Sequence, residues 1–185
     1  MGAIAIRIAA DPFDVAVKES QRYAMHMKLN GRFLLDELPD GYTVESFSID
    51  KLHAFGAVLF QGFLAQPERN VYPRLATNVG CRGMAKELTD MPGFLARHSY
   101  VIMHNGVPVA GIITSRSLGC VFGQIHLVAV AHRHRRLGLG SYLTKRVLNE
   151  FQDLKLMHAS LHVLGDNRQS IKFFRVMGFR AAQHG

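Results

Sequence analysis

Val128-Ala129-Val130-Ala131-His132-Arg133-His134-Arg135-Arg136-Leu137-Gly138-Leu139-Gly140 is the stretch whose reading decides the fold. It begins as an apolar strand, passes through a basic turn punctuated by two glycines, and enters a helix on which Leu143, Val147, Leu148 and Phe151 recur at helical spacing. Glycines let the backbone approach a ligand closely. The first amides of the helix lack internal partners, and the helix dipole adds positive potential. Such a turn is an anion site of the kind that takes a pyrophosphate. A nucleoside triphosphate loop would need Gly-Lys-Ser/Thr after its glycine-rich segment, whereas Gly140 is followed by Ser141-Tyr142, and Thr144-Lys145 stands in the wrong order and place. A dinucleotide fingerprint would need a third glycine where Leu143 stands, and no early strand, turn and helix unit precedes the stretch.

What remains is Arg135-x-x-Gly138-x-Gly140 after a Val130-bearing strand, and it resembles the acyl-CoA-binding motif of the GNAT superfamily of N-acyltransferases. A second stretch strengthens the likeness. Leu161-His162-Val163 reads as a strand, and Asn167 to Phe179 (NRQSIKFFRVMGF) is similar to the family's closing segment: Asn, two residues, a small residue, then an aliphatic and aromatic helix face ending in Gly-Phe. The two motifs stand in the family's order, one helix and one strand apart. Without the second, the glycines read as a simple tight turn, and Arg133, Arg135 and Arg136 as a solvated charge run or a nucleic-acid patch.

The resemblance implies an α/β fold with a mixed, mainly antiparallel sheet flanked by helices and a splayed central strand. It implies transfer of an acyl group, most simply acetyl, from acetyl-CoA to an amine of a small molecule or peptide. By the same resemblance the backbone amides of Arg136, Leu137, Gly138 and Gly140 cradle the pyrophosphate, and Arg135 shapes the turn. Backbone groups of Leu127, Val128 and Val130 pair with the pantetheine arm and its thioester, and Asn167 contacts CoA near its thiol. Phe174 stands where relatives commonly hold a Tyr that protonates the departing thiolate. A thiol with a pKa near about 8.5 leaves tolerably as an anion, so activity does not require that Tyr. Tyr142 offers another hydroxyl, or else a packing aromatic.

A base is harder to find. Family members often use a carboxylate on the central strand, yet Gly123-Gln124-Ile125-His126-Leu127-Val128 contains none. His126 is the titratable group there, and an imidazole with a pKa near about 6.5 accepts a proton at neutral pH. A hydrogen-bonded core histidine and a water chain to solvent are the alternatives. His132 and His134 with His126 invite a metal reading, but the His132-x-His134 pair lies beside three arginines and lacks a third ligand at metal spacing, so no metal is expected.

At 185 residues, 48% hydrophobic and 19% charged, the chain reads as one globular domain without extensive disorder. Its apolar stretches, such as Ala54 to Phe60, are far shorter than the roughly 18 residues of a membrane span. Arg7 and Asp11-Pro12 break up a secretory signal, and Ile6 stands where a myristoylation pattern needs Ser or Thr. Cys81 and Cys120, two distant cysteines, read as reduced thiols of a cytoplasmic protein, with Cys120 as a remote candidate nucleophile. A net charge of +8 and a pI near 9.9 favour anionic partners, of which CoA is one and nucleic acid another, and a basic solvated surface is the plainest account.

Residues 1–40 read as an N-terminal extension: a short strand on Ile4, Ile6 and Ile8, a helix start at Asp11-Pro12, and a helix from about Asp14 to Asn30 stopped by Gly31. The acyltransferase domain spans residues 41–185. After the Pro39-Asp40-Gly41 turn, Tyr42 to Phe47 is a period-two strand. Ser48 caps a helix with Leu52, Phe55, Leu59 and Phe63 on one face, ending before Pro67. A second helix covers Met84 to Leu88 and its flanks, beyond an Asn70-to-Pro73 loop. Ser99 to Met103 and Val109 to Thr114 form a hairpin about His104-Asn105-Gly106, and Gly123 to Val130 is the central strand. The regions that would select the acceptor, Phe63 to Pro73 and Gly80 to His98, carry no legible chemistry. Six residues follow Phe179, so the end of the sheet is short or completed by another chain, which leaves a homodimer open.

Two other functions stay in view. One is a CoA-binding or sensing module without turnover, suggested by Phe174 and the carboxylate-free strand. The other is a nucleic-acid binder, suggested by the charge, although the Ala131-to-Arg136 run lacks interleaved aromatics and a recognition helix.

Overall fold

A computed structural model describes residues 22–117 and 121–181. Seven strands, β1 (Arg22–Lys28), β2 (Tyr42–Ser46), β3 (Tyr100–His104), β4 (Val107–Arg116), β5 (Phe122–Val130), β6 (His158–Leu164) and β7 (Arg180–Ala181), form one sheet in the order β2-β3-β4-β5-β6-β1-β7. Five helices accompany it: α1 (Leu52–Gly62), α2 (Glu68–Val71), α3 (Asn78–Asp90), α4 (Leu139–Asp153) and α5 (Arg168–Val176). The β5–β6 pair is parallel and the other pairs are antiparallel, so the sheet is mixed and mainly antiparallel as expected. One face packs on α1 and α3 through Phe55, Leu59, Met84, Leu88 and, from β5, Leu127 and Ala129. The other packs on α4 and α5 through Leu143, Val147, Phe151, Phe174, Ile125 and Leu161.

The central strand divides the sheet. Between β4 and β5 the register slips, so that Ile113 faces Leu127 while Thr114 faces Ile125, and His126 is the extra residue of a β-bulge. The bulge resets the alternation: Ile125 and Val128, three positions apart, both pack against the α4 layer. The β5–β6 pairing also stops here, running from Phe122–His158 to Ile125–Leu161 and no further, while β6 continues along β1. From Leu127 onward β5 keeps its β4 partner and has no β6 partner. The splay expected of the central strand is this parting.

The helix expected over Asp14 to Asn30 is corrected where the structure describes it. Residues 22–28 are β1, paired along their length with β6 and, at Met25 and His26, with β7. Alanine, methionine and lysine favour helices when isolated, but the run also places Tyr23, Met25 and Met27 on alternate positions, and the waiting edge of β6 satisfies every second amide and carbonyl. The sheet therefore draws on chain from before residue 41. The Ile4-to-Ile8 strand, the Asp11-Pro12 start and Cys120 lie outside the described residues. After β1 the chain is held to α4 by Asn149, whose Oδ1 accepts from the Phe33 amide at 2.8 Å and whose Nδ2 donates to the Phe33 carbonyl at 2.9 Å.

Smaller departures have local causes. Ser48 precedes a 3-10 turn at Ile49–Lys51 rather than α1 and makes no side-chain cap. The Asn70-to-Pro73 segment is not a plain loop but the end of α2 and the start of a 3-10 turn with Pro73 at its first position, where a missing amide costs nothing. The last strand is short, and its partner is β1 of the same chain. Among the described residues no helix is long and apolar enough to cross a membrane. Cys81 is buried, and burial pushes its thiol up to about 11, which makes it a poor nucleophile.

The placement of β1 is testable with two truncations. Met25 is 2% exposed and Tyr23 is 50% exposed. Met25→Ala should destabilise by about 2–5 kcal/mol in urea unfolding. Tyr23→Ala should cost less than half as much, and equal small costs would remove β1 from the core.

Candidate active site

The anion turn leaves β5 through a 3-10 turn at His132–His134 and reaches α4 by way of two left-handed residues, Arg136 (φ 65°) and Gly138 (φ 78°). Gly138 is the N-cap of α4 and has no side chain to compete for the amides that follow. The first helical bond runs from the Tyr142 amide to the Gly138 carbonyl at 2.9 Å, so the amides of Leu139, Gly140 and Ser141 have no helical partner. Arg136 holds a conformation that costs a non-glycine residue about 1 kcal/mol or more.

The side chains of the turn mostly serve to fix it. Arg135 folds inward: its Nε donates to the Val130 carbonyl at 3.3 Å and its Nη2 to the Gly62 carbonyl, the last of α1. With its amide oxygen turned to the guanidinium, Gln66 accepts from Nη1 and Nη2 at 2.8 and 3.1 Å. Burial, then the charge of Arg136, lowers the pKa of Arg135, against the pull of Glu68. His134 is held from the other side, with its Nδ1 2.7 Å from the Tyr42 hydroxyl and its ring 5.2 Å from that of His104. Burial and then His104 lower its pKa.

Between the turn, β5 and α5 lies a cleft of about 280 Å³ whose walls include Val128, Val130, Gly140, Ser170, Phe173 and Phe174. A methyl group on Gly140 would meet Val130, Phe173 and Val128 at 3.7, 3.8 and 4.0 Å, ordinary contact distances, so the space it would take is that of the cleft. A second chamber of about 80 Å³ shares Phe63, Val128, Ser170 and Phe174 with the cleft and adds Glu68, Tyr72, His126 and His162. It occupies the gap that opens where β5 and β6 part.

The residues singled out from sequence converge here. Val128, Val130, Arg135, Arg136, Gly138, Gly140, Asn167 and Phe174 line the cleft, and His126 and Leu127 line the second chamber. The Leu137 side chain is exposed and lies off the cleft wall. His126 has its Nε2 2.7 Å from the Ser115 hydroxyl. Tyr142 is not at the cleft: its hydroxyl accepts from Arg146 Nη1 at 3.3 Å, and its ring packs in the core, so the packing reading holds. Phe174 packs edge-on against Phe173 and Phe179 at 4.9 and 5.7 Å.

One buried carboxylate of the second chamber was not singled out from the sequence. Glu68 enters from α2, is 8% exposed, and accepts at Oε1 from Asn167 Nδ2 at 2.6 Å. Its Oε2 is buried with no hydrogen-bond partner among the described residues. Burial raises its pKa, opposed by the Asn167 bond, its own backbone and Arg135. Asn167 is also committed elsewhere, its Oδ1 accepting from the Ser170 amide at 2.9 Å to cap α5. The Pro67-Glu68 start of α2 is an unremarkable helix opening in sequence, and nothing local in it signals burial.

Residues 70–179 match the model of the Acetyltransferase (GNAT) family. Among solved structures the chain is similar to a GCN5-related N-acetyltransferase from Sphaerobacter thermophilus, at 17% identity and a TM-score of 0.66, over 88% of this chain and 48% of that one. It thus spans about half the length of that protein. It is similar to the ribosomal-protein-S18-alanine N-acetyltransferase from Escherichia coli, at 20% identity and a TM-score of 0.59, over 77% of this chain and 79% of that one. A third likeness is to the PaiA N-acetyltransferase from Thermoplasma acidophilum, solved in complex with coenzyme A, at 10% identity and a TM-score of 0.60, over 78% of this chain and 92% of that one. At these identities the likenesses speak for the fold. No curated protein matches the sequence.

Arg135→Lys checks the inward clip. One ammonium cannot reach the Gly62 and Val130 carbonyls and the Gln66 amide together, so chemical unfolding should show a loss of about 1–3 kcal/mol. A lysine that leaves stability unchanged would make the guanidinium a bystander.

Proposed function

The chain belongs to the acetyltransferase (GNAT) family, and from that premise we propose that it transfers an acetyl group from acetyl-CoA to the amine of a small molecule or peptide. The observation that carries this reading is the adjoining pair of chambers, with open amides at one end, a carboxylate and an imidazole at the other, and an unpaired strand edge beside them. Acyl transfer needs the thioester held, its carbonyl aligned, the ammonium deprotonated and the thiolate released. The amides of the turn and of the first turn of α4 suit a pyrophosphate, and the +8 charge of the chain favours the encounter. The edge of β5 that β6 leaves after Ile125 supplies backbone groups at Leu127, Val128 and Val130 for an extended arm of amides. Bound in this way, acetyl-CoA supplies the activated acyl group.

Asn167 holds Glu68 and the start of α5 and also lines the cleft, where the resemblance puts the thiol end of CoA. Phe174 offers no proton, and the thiolate departs as an anion at neutral pH, at a rate that its own basicity limits. The small second chamber suits the amine end of an acceptor whose remainder stays outside.

Acetyl-CoA should raise the melting temperature, a ligand at 100 times its dissociation constant stabilising by about 2.7 kcal/mol. Gly140→Ala should keep the fold and lose most of that shift, because the methyl group occupies the cleft without striking the protein. A full shift in the alanine variant would move the ligand elsewhere. Phe174→Tyr should raise turnover, read as thiol release, while leaving the affinity for acetyl-CoA within a few fold. A faster rate identifies thiolate expulsion as the slow step.

A further inference from the structure

We propose that Glu68 is the group that receives the acceptor ammonium and takes its proton, its unpartnered Oε2 being the atom that does so. The inference rests on the acetyltransfer reading above and adds the base that the central strand lacks. Glu68 precedes the stretch matched to the family, residues 70–179, so that match assigns it nothing.

Three observations point to it. A buried carboxylate is costly unless both oxygens are answered, and unanswered buried polar atoms are few enough in folded proteins that each calls for a cause. Asn167 answers Oε1, whereas Oε2 has no hydrogen-bond partner among the described residues. The missing partner is a donor, and a cationic one satisfies a carboxylate best. Second, Glu68 lines the chamber that adjoins the thioester end of the cleft, with Phe63, Val128, Ser170 and Phe174 common to both. Third, Asn167 fixes the carboxylate to the start of α5, the helix that also carries Phe174 into the cleft, so the base and the acyl site are held in one frame.

The charged and titratable groups around it are Arg22 from β1, Tyr72 after α2, His126 from β5, His162 from β6 and Arg135 from the anion turn. Arg135 draws the carboxyl toward ionisation and burial opposes it more strongly, leaving it above the ordinary glutamate range and closer to the pH at which a base works best. The ammonium gives one proton to Oε2, and its freed lone pair attacks the thioester carbonyl carbon. The N–C bond forms, the C–S bond breaks, and the second nitrogen proton passes to the thiolate sulfur. Glu68 then returns its proton to solvent.

Glu68→Gln keeps an oxygen for Asn167 and removes the base. It is measured for acetyl-CoA binding by thermal shift and for thiol release with acetyl-CoA and butylamine, lysine or unblocked tripeptides. Acetyl-CoA binding should stay within a few fold while turnover at pH 7 falls roughly 10²-fold or more. The acid limb of the wild-type profile should disappear, and the residual rate should climb with pH as free amine accumulates. Turnover within threefold of wild type with the limb intact overturns the proposal, as does a limb removed by His126→Ala instead. An independent reading comes from carboxyl-labelled wild type, in which the glutamate resonance missing from Glu68→Asp should titrate above the ordinary range and shift when butylammonium is added. A resonance that ignores butylammonium overturns the proposal even if no amine in the panel is acetylated. Loss of acetyl-CoA binding in the wild type instead counts against the acetyltransfer reading, and the carboxyl resonance still decides the role of Glu68.

Discussion

The guanidinium of Arg135 joins the last carbonyl of α1, the end of β5 and the Gln66 amide. Each is a group that needs a donor. The Gly62 carbonyl ends a helix, where the dipole is negative and the last acceptors have no intrahelical partners, and the Val130 carbonyl lies where β5 gives way to the turn. One rigid fork answers them together and fixes how far the anion turn stands from α1. Gly62 contributes from the other side: a side chain there would come within 3.1 Å of Ala129 Cβ, so its absence lets α1 close on β5. Arg135 is thus an internal strut that fixes the turn, and the amides at the start of α4 are left without helical partners.

The second constraint is the extra residue in β5. A single inserted position at His126 reverses which side chains face which layer and coincides with the end of the β5–β6 pairing. The same irregularity therefore makes the gap and furnishes it, because the strand edge left open is also the strand that presents His126 to the second chamber. Stability is given up here, since several backbone groups of β5 have no sheet partner on that side. Proteins usually tolerate such incompleteness where a ligand completes the ladder.

What the sequence disclosed followed the range over which each signal acts. The anion turn is local, set by left-handed backbone at Arg136 and Gly138, and it stands where its motif puts it, whereas the sequence singled out Asn167 as a CoA contact and did not show that its side chain caps α5. The hairpin about Asn105-Gly106, two successive left-handed residues, is equally local. β1 was hidden because its helix-forming composition is overruled by partners at the far end of the chain. Glu68 was hidden for the same reason: its burial and its bond to Asn167, 99 positions away, exist only after folding. For Tyr142 the sequence left a second hydroxyl and a packing aromatic both open, because helical spacing near a glycine-rich turn does not say which face of the helix meets the cleft, and the fold decides for packing.

The position of β1 also bears on how the molecule assembles. Strands β3, β4 and β5 follow one another and can zip as hairpins, whereas β2 meets β3 across three intervening helices and β1 must wait for β6, with four strands and four helices of chain between them. Closing so long a loop is entropically expensive and slow. Until β1 arrives, one edge of β6 and the two-residue β7 lack the strand that joins them. Sheet completion is therefore a late folding event, and the interval before it is when an unpaired β6 edge is open to pairing with another chain.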